Sequence, residues 1–246
     1  MQGIPKLTEQ VVHIWQVDLR VSDFAFGSLW NLLSEEEQFR ANQFKVEQAR
    51  RTFVIGRGCL RRILSGYEQT DQPDPAKIQF MYSQQGKPSL STISSGIPLR
   101  FNLSHSHQLA LIAVGLNAEM GIDLEYIRPT AVEALVQRFF APSESVFLQG
   151  LKGEIQLKTF FRYWTCKEAY IKASGQRLSQ SLSQIVIRFD PVSPVGYQAY
   201  WQGIPIEPDW WMYEVACPQD YMATLVIDRQ IQNLDYFDGF QGDFCQ

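Results

Sequence analysis

WTCKEAYIKASG, from Trp164 to Gly175, is the most informative stretch of the chain. Its apolar residues repeat as in a helix that packs on a core, yet three charged residues interrupt them. On a helical wheel of about 100° per residue with Phe160 at zero, Ile171 lies at about 20° and Glu168 at about 80°. The Glu168 carboxylate therefore belongs to the aromatic face, where a charge is costly unless a partner or an ion compensates it.

The helix itself is predicted from about Ile155 to Ser174, and Gly175 follows at a position where glycine commonly ends a helix. Lys172 lies one turn after Glu168 and offers one explanation for the carboxylate, since such a surface pair is worth about 0.2–0.5 kcal/mol. The other explanation is that Glu168 binds a cation together with carboxylates from elsewhere in the chain. The local sequence leaves both open.

Two further carboxylates lie in GIDLEYI, a predicted strand. Because side chains alternate along a strand, Asp123 and Glu125 share one face, about 7 Å apart, and the apolar Ile122 and Leu124 share the other. A solvent-facing strand edge would explain this pattern, and a bound cation is the alternative. Together with Glu168 the two residues could form an all-oxygen site, which suits Mg²⁺ bound to substrate phosphates.

The segment FNLSHSH, at the end of another predicted strand, supplies groups that could contact phosphate. Ser104 and His105 can both donate hydrogen bonds to phosphate oxygens. His105 and His107 form an i, i+2 pair, but no third nitrogen or sulfur ligand is clustered with them in the sequence. This argues against zinc.

The net charge of −4 argues against general nucleic-acid binding, but positive charge is concentrated in one stretch. This basic stretch fits a compact anion or a small acidic partner, and an ordinary solvated helix face is the alternative. The stretch runs from Arg40 to Arg62 and contains a single acidic residue, Glu47. Its basic residues are Arg40, Lys45, Arg50, Arg51, Arg57, Arg61 and Arg62.

The composition is that of a soluble globular protein, with 246 residues of which 45% are apolar and 20% charged. No run of about 18 apolar residues is present, so we expect no membrane span. The start MQGIPKLTEQ lacks a signal pattern, so we expect a cytoplasmic protein. The scattered cysteines favour reduced thiols over disulfides or a zinc site; they are Cys59, Cys166, Cys217 and Cys245.

The order of predicted elements nearly repeats. Each half has a long helix that ends in Ser-Gly, at Ser65 and Gly66 and again at Ser174 and Gly175, followed by several short strands. In the first half, VVHIWQVDL is predicted as a strand and SEEEQFRANQF as a helix that opens with a capping pattern. We therefore expect two α+β halves divided near residue 118.

FNLSHS, GIDLE and WTCKEAYIKASG, in this order, resemble the signature motifs of 4′-phosphopantetheinyl transferases of the larger, surfactin-synthetase-activating (Sfp) type. RRTFVIGRGCLRRIL is similar to the early basic helix of that family, QQGKP to its adenine-side loop, and RFFAPSE to the segment between its metal-binding motifs. Each motif alone is weak, but the ordered set spans roughly residues 34–190 and is very specific.

The resemblance implies an enzyme that transfers the 4′-phosphopantetheine arm of coenzyme A to a serine of an acyl, peptidyl or polyketide carrier protein, with release of adenosine 3′,5′-bisphosphate. It implies an α+β pseudo-dimer of two similar subdomains, each a small, mainly antiparallel sheet packed against a long helix. Residues 1–118 would form the nucleotide side and 119–246 the metal-binding side, with the active site in the cleft between them. The expected partner is an acidic apo carrier protein, and we expect a monomer that binds neither nucleic acid nor membrane.

The resemblance also implies residue roles. Asp123, Glu125 and Glu168 are the expected Mg²⁺ ligands. Lys172 is the expected catalytic cation beside the pyrophosphate, and Glu168 or a metal-bound water is the expected base for the carrier serine. The expected coenzyme A contacts are Arg40, Arg51, Thr52, Lys87, Pro88, Ser104, His105 and Lys172. Glu37 stands where well-known bacterial members carry a lysine, which leaves more of the phosphate binding to Arg40.

Two other classes of protein stay open. One is an Mg²⁺-dependent nucleotide pyrophosphohydrolase, in which water replaces the carrier serine as the attacking group. Release of adenosine bisphosphate only in the presence of a carrier protein would separate the transferase from it. The other is a non-catalytic coenzyme A-binding protein, which the full set of three carboxylates and Lys172 disfavours, because a binder needs no complete metal shell.

Overall fold

The computed structural model describes residues 4–68, 72–90, 98–175, 182–188, 198–201, 204–205 and 210–239. The chain has the mixed α+β character that the sequence predicts. Its helices are α1 (Asp23–Trp30), α2 (Glu35–Asn42), α3 (Glu47–Ser65), α4 (Val132–Phe139), α5 (Pro142–Gln149) and α6 (Gly153–Ser174), with a short 3₁₀ turn at Pro75–Lys77. Its strands are β1 (Val11–Asp18), β2 (Phe80–Tyr82), β3 (Pro88–Leu90), β4 (Leu99–Ser106), β5 (Leu109–Leu116), β6 (Met120–Tyr126), β7 (Ile185–Arg188), β8 (Gln198–Trp201), β9 (Ile204–Pro205), β10 (Trp211–Glu214), β11 (Tyr221–Ile227) and β12 (Asn233–Asp238).

The two larger sheets have the strand orders β12-β1-β5-β4 and β10-β11-β6, and the smaller ones are β2-β3 and β7-β8-β9. Among the described strands, only the pairing of β1 with β12 is parallel. The last described strand, β12, thus lies in a sheet whose other described strands come from the first half. Strands β4 and β6 are both edge strands, each of a different sheet.

The core is layered as helix, sheet, sheet, helix, because strand residues alternate between two faces. Leu111 of β5 packs with Ile122 and Leu225 in a core between the two larger sheets. The neighbouring residue Ile112 packs instead with α3 on the outer face of the first sheet. On the outer face of the second sheet, Val226 packs with the buried aromatic residues of α6.

Local sequence signals explain where the helices begin and end. Ser34 and Glu37 form the predicted capping box at the start of α2, with Glu37 N donating to Ser34 Oγ at 3.3 Å and Ser34 N donating to Glu37 Oε2 at 3.0 Å. Helix α6 ends at Ser174, and Gly175 follows with a φ of 69°, a left-handed conformation that favours glycine. Both predictions are confirmed.

Part of the basic stretch is buried, which corrects its interpretation as a solvated helix face. Arg61 is only 2% exposed, and its Nε donates to Glu37 Oε2 at 2.7 Å. Its Nη1 donates to three backbone carbonyls of segment 75–78. Arg57 Nε also lies 3.5 Å from Glu37 Oε1. Glu37 therefore neutralises two arginines of α3 and caps α2, which gives this acidic residue a structural role.

No helix within the described residues is long and apolar enough to cross a bilayer. Cys59, Cys166 and Cys217 are free thiols, as the sequence predicts, while Cys245 lies outside the described residues. Burial raises the pKa of Cys59 and Cys166 to about 12, so both stay protonated and behave as apolar core residues.

Candidate active site

Strands β4 and β6 lie side by side, but side chains join them instead of a backbone ladder. Alternate side chains of β4 accept hydrogen bonds from backbone N–H groups of β6 at 2.8–3.2 Å: Asn102 from Ile122, Ser104 from Leu124 and Ser106 from Tyr126. We call these three contacts the side-chain ladder. They satisfy N–H groups at the edge of β6 that no strand of its own sheet reaches.

The carboxylates of β6 face away from the core between the sheets, as strand alternation predicts. Ile122 and Leu124 are fully buried in that core. Asp123 is only 4% exposed, so a solvent-facing strand edge is the wrong explanation for this residue. Ser104 Oγ lies 3.1 Å from Asp123 Oδ1, and Ser106 Oγ lies 3.1 Å from Glu125 Oε2.

Helix α6 brings two charged side chains to the same place. Lys172 Nζ lies 2.6 Å from Asp123 Oδ1, 2.9 Å from Ser104 Oγ and 3.2 Å from the Ile122 carbonyl oxygen. Glu168 is 7% exposed, as its position on the aromatic face predicts. Within the described residues no ion pair joins Lys172 to Glu168, so the helical i, i+4 pair does not explain the buried carboxylate.

Gly121 explains why β6 and α6 can lie so close together. A Cβ atom on this residue would lie 2.2 Å from the Ala169 carbonyl oxygen and 2.4 Å from the Ala173 backbone nitrogen. Backbone atoms of a helix cannot yield to such a contact, so the glycine of GIDLE is needed for the close approach. That close approach brings the Asp123 carboxylate within hydrogen-bond distance of Lys172 Nζ.

Burial raises the pKa values of all three carboxylates, and the Asp123 carboxylate raises those of Glu125 and Glu168 further. Burial, followed by the Asp123 carboxylate, raises the pKa of Glu168 to about 7. Burial and then Asp123 also raise the pKa of Glu125. Burial raises the pKa of Asp123 itself, against the lowering effect of the Lys172 ammonium. Three acidic groups and one ammonium therefore share a poorly hydrated space with an excess of negative charge.

These residues are chemically suited to a hard divalent cation. Asp123 Oδ2 is buried and has no hydrogen-bond partner within the described part of the chain. As the side chains stand, no group of three or more acidic, histidine or cysteine residues in that part surrounds a common metal position. A cation beside Asp123 Oδ2 would satisfy this atom and lower the raised carboxyl pKa values, and an all-oxygen donor set favours Mg²⁺ over zinc.

The predicted phosphate contacts of β4 differ in accessibility. Ser104 is buried, and its hydroxyl is already bonded to Asp123, Lys172 and Leu124 N. His105 is exposed, and desolvation together with the Lys172 ammonium lowers the pKa of its imidazole. A neutral imidazole beside Lys172 can still donate one hydrogen bond.

The predicted nucleotide-side turn contacts the end of α6. Lys87 Nζ donates to the Ala173 carbonyl oxygen at 3.1 Å and lies 3.2 Å from Glu119 Oε2. Lys87 and Pro88 help to line a pocket of about 180 Å³, together with Arg100 and Phe101 of β4. The contact of Lys87 with Ala173 connects this pocket to the end of α6 that carries Lys172.

The remaining predicted contacts lie on α2 and α3. Arg51 is held by Asp23 Oδ1 at 2.8 Å and by the Val21 carbonyl oxygen at 2.9 Å. Arg40 is exposed, with its guanidinium 5.2 Å from the centre of the Phe53 ring. Thr52 is half-buried on α3. Within the described residues, none of these three side chains contacts the carboxylate cluster directly.

Sequence reasoning missed three polar residues of this region. Asn102 and Ser106 belong to the side-chain ladder, and their spacing around Ser104 is a period-2 signal that could have revealed them. Lys167 is fully buried, with Nζ 2.7 Å from Glu144 Oε2 and 2.8 Å from the Leu182 carbonyl oxygen. No local pattern points to Glu144 as its partner.

The chain is similar to known 4′-phosphopantetheinyl transferases. A model of the 4′-phosphopantetheinyl transferase superfamily matches residues 119–226, and a model of the N-terminal part of 4′-phosphopantetheinyl transferase matches residues 20–117. The chain is 42% identical over 210 residues to the 4′-phosphopantetheinyl transferase HetI of Nostoc sp., a match that covers 83% of this chain and 87% of that protein. It is 30% identical over 159 residues to the 4′-phosphopantetheinyl transferase Sfp of Bacillus subtilis, covering 64% and 67%.

A solved holo-(acyl-carrier-protein) synthase from Bacillus anthracis, in complex with coenzyme A (3′,5′-ADP), matches 44% of this chain and 93% of its own. The identity is 19% and the TM-score 0.38.

Proposed function

The chain belongs to the 4′-phosphopantetheinyl transferase superfamily, and on this premise we propose that its active site is the cluster of carboxylates between β4, β6 and α6. The enzyme transfers the phosphopantetheine arm of coenzyme A to carrier proteins. The observation that supports this location is the meeting of Asp123 and Glu168 with Lys172 and with Ser104, which comes from the other half of the chain.

Asp123, Glu125 and Glu168 hold Mg²⁺ in this proposal. The unpartnered Asp123 Oδ2 and the raised carboxyl pKa values support it, because both are features that a nearby cation would offset. When bound, Mg²⁺ would stabilise the negative charge that develops on the pyrophosphate.

Lys172 also binds the pyrophosphate oxygens, exchanging for one of them its 3.2 Å contact with the Ile122 carbonyl oxygen. Its contacts with Asp123 and Ser104 hold the ammonium in place before substrate binds, so little reorganisation is needed when charge develops. His105 reaches the phosphates from the exposed side of β4. Ser104 acts on them through the position it gives Lys172, because its single hydroxyl hydrogen is directed at Asp123.

The carrier serine attacks the β-phosphorus of coenzyme A, the bond to the bridging oxygen breaks, and adenosine 3′,5′-bisphosphate leaves. Glu168 accepts the serine proton, because it is the acidic side chain that α6 directs toward the cluster. A carboxylate held within hydrogen-bond reach of the attacking hydroxyl is a suitable general base.

The nucleotide extends toward the first half of the chain. Lys87 and Pro88 lie beside the adenine in the pocket of about 180 Å³. Arg51 and Thr52 bind the 3′-phosphate, for which Arg51 would exchange its contact with the exposed Asp23 for a charged oxygen of the substrate. Arg40 also contributes to phosphate binding.

The proposal includes the two-subdomain organisation, 1–118 and 119–246. The break between the two matched family models supports this boundary, and β12, which pairs with β1, would be the one described strand that crosses back. It also includes a monomer, an acidic carrier and the cytoplasmic location expected from the sequence.

The test is incubation of the protein with coenzyme A, Mg²⁺ and a panel of apo carrier proteins, followed by mass spectrometry of the carriers. We expect a carrier to gain one phosphopantetheine group and adenosine bisphosphate to appear only with carrier present. Asp123→Ala should abolish transfer and keep the parent circular dichroism, while Glu133→Ala, an exposed carboxylate change on α4, should transfer normally. Activity of Asp123→Ala at the parent level would contradict the proposed site.

A further inference from the structure

We infer that Ser106 is a positioning residue for Glu125: besides its contact in the side-chain ladder, its hydroxyl orients a carboxylate of β6. This inference rests on the proposed function, because it concerns how the chain prepares its Mg²⁺ ligands. It concerns a residue of the first half that acts on a ligand of the second half.

The hydroxyl of Ser106 has a fixed direction. Ser106 Oγ accepts a hydrogen bond from Tyr126 N at 3.0 Å and lies 3.1 Å from Glu125 Oε2. A hydroxyl has one hydrogen to donate, and the backbone N–H can only donate to it. The hydrogen of Ser106 is therefore directed at the Glu125 carboxylate, which holds that side chain in one orientation.

Glu125 depends on this contact more than Asp123 depends on Ser104. Asp123 receives hydrogen bonds from both Ser104 and Lys172. Among the described residues, Ser106 is the one side chain that donates a hydrogen bond to Glu125. Glu125 is also only half-buried, so packing restrains it less than it restrains Asp123.

Asn102 provides a control within the same ladder. Its Oδ1 accepts from Ile122 N at 2.8 Å, as Ser106 accepts from Tyr126 N, and Asn102 is similarly buried. Asn102 does not hold a carboxylate, because Asp123, which follows Ile122 on β6, receives its hydrogen bond from Ser104 instead. Loss of Asn102 therefore removes a contact of the ladder without freeing a ligand.

The experiment compares Ser106→Ala, Ser106→Thr, Ser106→Cys and Asn102→Ala with the parent protein. Two quantities are measured: the Mg²⁺ concentration that gives half-maximal transfer at saturating coenzyme A, and the melting-temperature shift that Mg²⁺ produces in the presence of coenzyme A. The second quantity does not depend on turnover.

For Ser106→Ala we expect the half-saturating Mg²⁺ concentration to rise about 10–100-fold, the usual effect of removing a residue that orients a metal ligand. The Mg²⁺-induced shift in melting temperature should shrink in parallel. Ser106→Thr keeps the hydroxyl and should behave as the parent. Ser106→Cys keeps the size of the side chain with a weaker donor and should fall between.

Asn102→Ala should lower the melting temperature without Mg²⁺ about as much as Ser106→Ala, yet leave the Mg²⁺ requirement unchanged. A parent-like Mg²⁺ requirement in Ser106→Ala and Ser106→Cys would overturn the inference, and so would an equal rise in Asn102→Ala. If the parent protein transfers phosphopantetheine normally, either of these variant results overturns the inference about Ser106 and leaves the proposed function intact. A parent that transfers no phosphopantetheine would contradict the proposed function itself.

Discussion

Glu168 and Lys167 are neighbours on α6, and the structure treats their buried charges in opposite ways. The Lys167 ammonium is paired with Glu144 and donates to the carbonyl oxygens of Leu182 and Ile185. Glu168 has a pKa raised to about 7 and, within the described residues, no hydrogen-bond donor. A buried charge that is fully satisfied stabilises one packing arrangement, whereas one left under-compensated is a candidate for binding an ion.

Arg51 carries the most specific prediction at the residue scale. Arg51→Ala should weaken binding of coenzyme A by about 1.5–3 kcal/mol, the range for a hydrogen bond to a charged group. It should weaken 3′-dephospho-coenzyme A much less, because that ligand lacks the phosphate assigned to Arg51. Isothermal titration with both ligands measures the difference, and equal losses would remove Arg51 from that role.

The contact between β6 and α6 determines the geometry of the site at the level of elements. Gly121 lets the strand lie against the helix backbone, and Gly121→Ala would force a Cβ to within 2.2 Å of a carbonyl oxygen. We expect a loss of about 3 kcal/mol in the free energy of unfolding, at the upper end of the usual range for overpacking. Urea denaturation measures it.

Gly27→Ala is the matched control for this change. Gly27 lies within α1, and apart from the adjoining residues and backbone of that helix no described atom lies within 4 Å of the position its Cβ would take. In a helix interior the substitution should stabilise the protein by about 0.5–1 kcal/mol. A Gly121→Ala protein as stable as the Gly27→Ala protein would show that β6 and α6 are not in close contact.

The pairing of β1 with β12 gives a prediction about pH. His13 on β1 is fully buried; its Nδ1 lies 2.8 Å from Tyr67 Oη and its Nε2 lies 4.0 Å from Asp235 Oδ2. Burial lowers the pKa of His13, partly offset by Asp235. The folded pKa thus lies below the unfolded value of about 6.5, so the contribution of His13 to stability is complete above about pH 6.5 and is lost below it.

As the pH falls from about 7 to about 5, His13 should therefore lower the melting temperature of the parent relative to that of a His13→Gln variant, which has no imidazole to protonate. The raised pKa of Glu168 acts in the opposite direction over this range, but it does so in both proteins and cancels in the comparison. Melting curves across this pH range measure both proteins. An identical pH dependence in the two proteins would mean that the buried imidazole does not resist protonation.

On the scale of the whole molecule, one chain supplies both sides of the site. Ser104 comes from the first half, and Asp123 and Lys172 come from the second. The protein should therefore be a monomer by light scattering and should keep its specific activity on dilution. An obligate trimer that loses activity on dilution would contradict this prediction.

The sequence predicted α6, its end at Gly175 and the burial of Glu168, because these depend on helical periodicity and on one local glycine. It did not predict α1, a short helix with a glycine in its interior, or α4. It also did not predict β12, because that strand is defined by its parallel partner β1, more than 200 residues earlier.

The candidate site divides in the same way. Alternation along β6 was enough to place Asp123 and Glu125 on one face. The sequence did not identify the partner of Lys172, since the helical spacing alone is compatible with an ion pair to Glu168. The observed pairing with Asp123 depends on how β6 packs against α6. The side-chain ladder likewise depends on two edge strands from different sheets, a tertiary relation that no local pattern encodes.

The most direct measurement is the Glu168→Gln variant, which keeps the size and helix propensity of the side chain but removes its charge. Transfer of phosphopantetheine to one apo carrier should fall by orders of magnitude. The melting temperature without Mg²⁺ should stay level or rise, because repulsion with Asp123 and Glu125 is relieved. The Mg²⁺-induced rise in melting temperature with coenzyme A should be smaller than in the parent. An active Glu168→Gln protein with an unchanged Mg²⁺ shift would contradict a metal site built from these three carboxylates.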